Sequence, residues 1–182
     1  MSGYDIRLNL RISLDSLWAA SYGQIYPALH KLADEGLVRP VQEATGSRER
    51  IVYHLTPEGR QVFQDWLHEP VSYLASRDPF KFWASYLDVL PPDTVRAGLD
   101  RHVEIHRERL AYFRQVIDSI ESDEHPMIQA RAAAMEPAAL ARLKATRVMI
   151  FEELAAQAEF EIASAERIRA FWQERILADE SR

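Results

Sequence analysis

The sequence has no cysteine, only six glycines among its 182 residues, and no long apolar run. Without cysteine, the chain has no disulfide framework, no cysteine-containing zinc site and no thiol catalysis. No segment approaches the roughly 18 consecutive apolar residues of a membrane helix, and residues 1–6 do not resemble a charged-then-apolar secretion signal. Because 47% of the residues are apolar and 27% are charged, we expect a folded globular protein, and the lack of a membrane helix and of a secretion signal leads us to expect it in the cytoplasm.

Positive charge is also scarce, and it is unevenly distributed. The chain has 22 Lys and Arg against 28 Asp and Glu, a net charge of -6, which at first argues against a partner as acidic as DNA. Residues 1–68 hold 7 basic and 8 acidic residues, whereas residues 69–182 hold 15 and 20. Most of the negative charge therefore belongs to the second part of the chain, and the net charge does not exclude DNA binding by the first part.

The glycines divide the chain in the same way. Five of the six lie within residues 1–68, and only Gly98 lies beyond them. A turn-rich first part followed by a long helical part is the simplest interpretation. We therefore predict a mainly α-helical protein with two domains, residues 1–68 and residues 69–182.

Local signals predict two helices at the start of the first part. Ser2 and Asp5 have the spacing of a capping box, and the apolar residues after them recur at helical intervals. A second helix is predicted over residues 21–35, because Gly36 follows it in the position of a C-cap.

A two-stranded ribbon and a third helix are predicted next. The strands are expected over residues 37–42 and 50–55, and the second strand alternates with the period of a half-buried strand through Ile51, Tyr53 and Leu55. Thr56-Pro57 then has the chemistry of a helix cap and first turn. The order helix, helix, ribbon, helix is that of a winged helix-turn-helix.

The second part is predicted to contain one short and two long helices. Asp78-Pro79 opens the short helix, a long helix starts near Asp93, and another covers residues 138–178. Helices of about 28 and 40 residues with heptad-like apolar spacing are longer than a small domain can bury. The extra apolar surface needs a partner, most simply a second copy of the chain, so we predict a homodimer formed through the C-terminal helices.

A winged helix-turn-helix inserts its second helix into the major groove of DNA, while the ribbon tip contacts the phosphates or the minor groove. The exposed side of the predicted second helix offers side chains that bond bases or phosphates, and the ribbon tip offers two guanidinium groups. The predicted DNA-binding residues are Ser21, Tyr22, Gln24, Tyr26, Lys31, Ser47, Arg48 and Arg50. A solvated helix face and an ordinary charged hairpin are the alternative interpretation.

Four segments resemble the PadR family of transcriptional regulators. Ser-Gly-Tyr-Asp-Ile at residues 2–6 resembles the start of the family's second helix. Tyr-Gly-Gln-Ile-Tyr-Pro-Ala-Leu at residues 22–29, continuing to residue 38, resembles the family's recognition helix. Val-Tyr-His-Leu-Thr-Pro-Glu-Gly-Arg at residues 52–60 resembles the end of its wing and the helix that follows. Residues 69–182 are similar in layout to the C-terminal helical domain of the AphA branch, the virulence-activator type. The resemblance implies a dimeric DNA-binding regulator.

The sequence departs from the family pattern in two places. Family members carry a basic stretch in the wing, which Glu49 interrupts in this sequence. They also have another helix before the segment that begins at Ser2, whereas here Met1 stands where that helix has already ended. We expect either that the true start lies upstream or that the first domain lacks one wall of its core.

Residues that could support catalysis are few. His102 and His106 lie four apart in a predicted helix and superficially resemble a zinc-binding helix, but Glu104 does not follow the first histidine directly. We interpret them as a surface or interface pair. The scattered glycines form no phosphate loop, and no nucleophile elbow is present. We predict no enzymatic activity, no cofactor and no metal.

Aromatic residues cluster near the junction of the two predicted domains. The resemblance implies a small aromatic effector as a candidate partner, because some relatives bind planar aromatic molecules near the dimer interface. The candidate effector-pocket residues are Trp66, Phe80, Trp83 and Tyr86. Core packing is the alternative interpretation, since aromatics at helical spacing usually belong to a core.

The predicted function is a PadR-like transcriptional regulator that binds a pseudo-palindromic operator in double-stranded DNA as a homodimer, with repression as the expected outcome. The alternative is a dimeric ligand-sensing or protein-interaction module with weakened DNA binding. The sequence leaves open the identity of the operator, the choice between repression and activation, and whether an effector exists.

Overall fold

The computed structural model describes residues 1–13, 22–45, 48–71, 78–132 and 134–177. The chain is mainly helical with one two-stranded antiparallel sheet, which confirms the predicted fold class. It divides into two compact units, Met1–Leu74, here called the winged unit, and Ala75–Arg182, the helical unit. The domain boundary between residues 68 and 69 stays a prediction. Among the described residues, no helix combines the length and the apolar character needed to cross a membrane.

The winged unit has the predicted order of elements. Both strands are longer than expected, because the antiparallel register runs through eight pairs from Val38 opposite Leu55 to Thr45 opposite Arg48. The elements are α1 (Gly3–Ser13), α2 (Tyr22–Asp34), β1 (Val38–Thr45), β2 (Arg48–Leu55) and α3 (Pro57–His68).

Local capping explains where these helices begin and end. The Ser2 backbone N–H donates to the Asp5 carboxylate at 2.8 Å, and the Asp5 backbone N–H donates to the Ser2 hydroxyl at 3.2 Å, so the predicted capping box is confirmed. Gly36 closes α2 with a left-handed φ of 72°. At the start of α3, the Thr56 hydroxyl accepts from the Gly59 N–H at 3.0 Å.

The core of the winged unit corrects one expectation. Val52 is only 5% exposed, whereas Ile51 and Leu55 are 47% and 49% exposed and Tyr53 is half-buried, so the strand face predicted to be buried is the more exposed one. The neighbours of β2 include segments distant in the sequence: Ser2 forms a bridge with Val52, and α1 contacts β2. Successive side chains of a strand point to opposite faces, so burial of Val52 turns its neighbours outward.

The helical unit is built on two long helices. Early residues of α5 pack against late residues of α7, and late residues of α5 pack against early ones, so the pair is antiparallel. The predicted helices are confirmed, with the last one ending at Trp172 and followed by a π-helical turn, Gln173–Leu177. The elements are α4 (Pro79–Ala84), α5 (Pro92–Glu121), α6 (Pro126–Ala132) and α7 (Pro137–Trp172).

Candidate nucleic-acid interface

Helix α2 has one buried side and one exposed side. Ile25 and Leu29, four residues apart, are buried. Gln24, Tyr26 and Lys31 are exposed, as predicted, and the Lys31 side chain is 77% exposed. Its ammonium lies 3.8 Å from the carboxylate of Glu35, whose side chain is 48% exposed, and an ion pair between two such exposed groups contributes little. Lys31 therefore keeps a solvated positive charge at the end of α2.

Two of the predicted DNA-binding residues, Ser21 and Tyr22, come at the start of α2 in the sequence. Ser21 lies outside the described residues. Tyr22 is the first residue of the helix.

In the wing, the Arg50 side chain lies near two carboxylates. The Arg50 guanidinium lies 3.7 Å from the Asp5 carboxylate and 3.9 Å from the Glu43 carboxylate, and its side chain is 45% exposed. Both carboxylates partly compensate its positive charge. Ser47 lies outside the described residues, and Arg48 opens β2 opposite Thr45.

A pocket in the winged unit brings Tyr26 and Arg50 together. It has a volume of about 380 Å³ and is lined by α1, α2 and β2, with His30 also on its wall. The Tyr26 ring rests on the α1 backbone, because a Cβ added at Gly3 would lie 2.8 Å from the ring. A glycine two residues into the chain carries no signal for this contact, which explains why sequence reasoning missed Gly3.

The outer edge of β2 is covered by the first residues of the chain. The Tyr53 N–H donates to the Met1 carbonyl at 2.9 Å, and the Met1 ammonium donates to the Tyr53 carbonyl at 3.1 Å. The wing is thereby hydrogen-bonded on the edge that β1 does not occupy.

The candidate effector residues fall into three separate environments. Phe80 and Trp83 stack with ring centres 5.8 Å apart and pack against the core of the helical unit. Tyr86 instead contacts Phe82. Trp66 belongs to the winged unit and stacks on its neighbour Phe63.

A groove of about 550 Å³ lies beside α4 in the helical unit. Two cations, Lys81 and Arg167, line it together with apolar side chains such as Ile168 and Phe171. In the described part of the chain, no three His, Asp or Glu side chains converge as a metal site requires. His102 and His106 do lie close together, with ring centres 4.4 Å apart.

Sequence comparison identifies relatives of the winged unit. Residues 1–65 match the transcriptional regulator PadR-like family. Over 93 residues, the chain is 37% identical to the negative transcriptional regulator PadR of Bacillus subtilis, an alignment that covers 50% of this chain and 50% of that protein. The matched segment thus spans about half the length of this curated relative.

Solved structures resemble the chain over nearly its whole length. The structure of Bacillus subtilis PadR in complex with operator DNA is 24% identical, covers 94% of this chain and 90% of its own, and has a TM-score of 0.71. The same protein in complex with p-coumaric acid is 23% identical, with coverages of 91% and 88% and a TM-score of 0.56. The Vibrio cholerae virulence activator AphA is 24% identical, with coverages of 92% and 90% and a TM-score of 0.57. At these identities the likeness establishes a shared fold.

Proposed function

We propose that the chain, whose residues 1–65 match the PadR-like family of transcriptional regulators, regulates transcription by binding DNA with α2. The observation that carries the proposal is the exposed side of α2, where Gln24, Tyr26 and Lys31 stand opposite the buried Ile25 and Leu29. A side chain such as Gln24 bonds the edge of adenine, while Tyr26 and Lys31 contact phosphates. The operator complex of Bacillus subtilis PadR supports this assignment.

The remaining predicted residues would hold the protein on the phosphate backbone. Tyr22 begins α2, where a helix favours anions, and Ser21 precedes it in the sequence. Arg48 and Arg50 belong to β2 of the wing, and Ser47 precedes them in the sequence. We expect these contacts to fix register, whereas the exposed side of α2 reads bases.

We further propose that the chain works as a homodimer. The two long helices leave large apolar side chains uncovered on α7, including Met149, Phe160 and Phe171, each more than half exposed. A second copy would cover such surface, and its two-fold symmetry would demand a pseudo-palindromic operator. We expect the chain to repress transcription, because the curated relative is a negative regulator. We expect it to act in the cytoplasm.

A small aromatic effector belongs to the same proposal. The complex of Bacillus subtilis PadR with p-coumaric acid supports it, and the groove beside α4 offers space next to Lys81 and Arg167. The four predicted residues, Trp66, Phe80, Trp83 and Tyr86, do not line this groove and stay separate candidates for sensing such a molecule.

A second candidate function is a dimeric ligand-sensing or protein-interaction module with weakened DNA binding. The environment of Arg50 favours it, because Asp5 and Glu43 reduce the charge that this residue offers to a phosphate. Replacing Arg48 and Arg50 together by alanine separates the two functions. A DNA-binding regulator loses affinity for all sequences, whereas an interaction module keeps its partner unchanged.

The test is an electrophoretic mobility-shift assay with the full chain and the DNA upstream of its own gene. We expect a shift that competes poorly with unrelated DNA and weakens as salt is raised, because each phosphate contact releases counterions. No shift at any salt concentration, or one that unrelated DNA removes equally well, would contradict the proposal.

A further inference from the structure

A cluster of mostly buried side chains joins three helices of the helical unit. It consists of Phe80 of α4, His102 and His106 of α5 and Glu161 of α7, and we call it the histidine cluster. The Phe80 ring lies flat on the His102 ring, with centres 3.5 Å apart and planes 13° apart. The His102 ring centre is 4.4 Å from that of His106. The His102 ring therefore lies against α4, and the His106 ring lies beside it.

Glu161 is shared between the cluster and α4. The His102 Nε2 atom lies 3.6 Å from the Glu161 carboxylate, and the Lys81 ammonium lies 3.4 Å from it. Lys81 also donates to Asp78 at 2.6 Å, which is the N-cap of α4. The His102 and Glu161 side chains are only 13% and 15% exposed, so water screens their interaction weakly.

The imidazoles are buried without full hydrogen bonding. Within the described residues, His102 Nε2 and His106 Nδ1 are enclosed and have no hydrogen-bond partner. A neutral imidazole tolerates this better than an imidazolium, because a charged group loses more solvation on burial.

Each nearby charge acts on the two rings in a definite sense. Burial lowers the pKa of His102, and the Glu161 and Asp78 carboxylates oppose that effect more than the Lys81 ammonium adds to it. Burial also lowers the pKa of His106, with His102, Arg109 and Lys81 lowering it further and Glu161 opposing. Both rings are therefore neutral near pH 7, and a proton on one disfavours a proton on the other.

We propose that the histidine cluster is a proton-sensitive latch, which holds α4 against α5 and α7 while both imidazoles are neutral and releases it when they are protonated. The six-residue α4 is too short to be stable alone and depends on these contacts. Phe80 stacks on His102, and Lys81 reaches Glu161. A protonated His102 competes with the Lys81 ammonium for Glu161, and a protonated His106 adds a positive charge that repels this ammonium, so proton uptake weakens the attachment of Lys81 to Glu161. Opening of α4 also hydrates the imidazolium nitrogens that are enclosed beneath it, so protonation favours the open state.

The direction of the pH dependence follows from the depressed folded-state pKa values. The unfolded chain has histidines of ordinary pKa, about 6.5, and so binds more protons than the folded chain just below that pH. The latch is fully closed above about pH 6.5 and is lost as the pH falls through the lower folded-state pKa values. This behaviour concerns the helical unit and goes beyond DNA binding.

Hydrogen exchange followed by mass spectrometry on the full chain tests the latch. After correction for the intrinsic effect of pH, the hydrogen-bonded amides of α4 and its C-terminal end, residues 81–86, should lose protection between about pH 7 and pH 5. His106→Gln removes one titrating ring and should reduce this loss. His68→Gln, at an exposed position on α3, is the matched control and should leave the loss as in the parent chain.

An equal loss of protection in His106→Gln and the parent chain would overturn the proposal. A second measurement, on the unmodified chain, does not depend on that variant folding. Each histidine ring is titrated by NMR, and His102 and His106 should both protonate below the ordinary value of about 6.5. Protonation of either ring at or above that value would also overturn the latch.

Discussion

Gly59 shows how a single residue position fixes the winged unit. A Cβ added there would lie 2.0 Å from the Leu37 carbonyl oxygen, which is backbone and has no freedom to rotate away. The close approach exists because the Thr56 hydroxyl donates to the carbonyls of Gly36 at 2.9 Å and Leu37 at 3.0 Å. These bonds pull the start of α3 onto the end of α2.

We predict that Gly59→Ala destabilises the chain by about 1–3 kcal/mol, the usual cost of overpacking. The sign is diagnostic, because alanine normally stabilises a helix interior by roughly 1 kcal/mol relative to glycine. Urea unfolding of the full chain measures the change, with Glu58→Ala at the exposed neighbouring position as the control. A Gly59→Ala variant as stable as the parent chain would mean that α3 does not approach Leu37 this closely.

At the scale of helices and strands, the sequence predicted what depends on neighbouring residues. Ser2 with Asp5 and Thr56 with Gly59 cap helices through bonds that span three residues, so their spacing alone reveals them. The exposed side of α2 followed from the period of its apolar residues.

Features that depend on distant contacts were not predictable in this way. The buried face of β2 was predicted wrongly, because β2 packs beside α1 and its preceding residues, as the bridge between Ser2 and Val52, 50 residues apart in the chain, shows. The carboxylates beside Arg50 were missed for the same reason, since Asp5 lies on another element. No pattern in one segment encodes such a neighbour.

The packing of α4 on α5 gives a prediction about how two helices fit together. A Cβ added at Gly98 in α5 would lie 2.5 Å from the Trp83 ring, so glycine makes room for the tryptophan. We predict that Gly98→Ala displaces α4 and destabilises the chain by about 1–3 kcal/mol.

A double-mutant cycle with Trp83→Leu checks this prediction in thermal unfolding. Because the smaller leucine leaves space, adding Gly98→Ala to Trp83→Leu should cost much less than adding it to the parent chain. Additive effects of the two substitutions would show that they do not contact one another.

For the whole molecule, the negative charge lies mostly in the second part of the chain, as expected if the first part binds DNA. Residues 1–68 carry a net charge of -1 and residues 69–182 a net charge of -5. A partner as acidic as DNA is repelled less by the first part than by the second. The first part is still not strongly basic, so we expect modest affinity that depends on two copies binding together.

The homodimer gives a prediction for the whole molecule. Sedimentation equilibrium of the full chain should give about twice the 21.0 kDa mass of one chain at micromolar concentration. Phe160→Glu, which puts a charge on the exposed side of α7, should shift the equilibrium toward the monomer while helical content is kept. A mass of one chain at every concentration would exclude the homodimer.

The proposed binding of DNA by α2 is tested by measuring how DNA affinity depends on salt in two variants, each of which lacks one exposed cation. Lys31→Ala removes an exposed cation from α2, and Arg60→Ala removes one from α3. We predict that Lys31→Ala weakens binding of upstream DNA and lowers the slope of log affinity against log salt by about 1, whereas Arg60→Ala leaves both unchanged. Equal effects of the two substitutions, or none from Lys31→Ala, would contradict it.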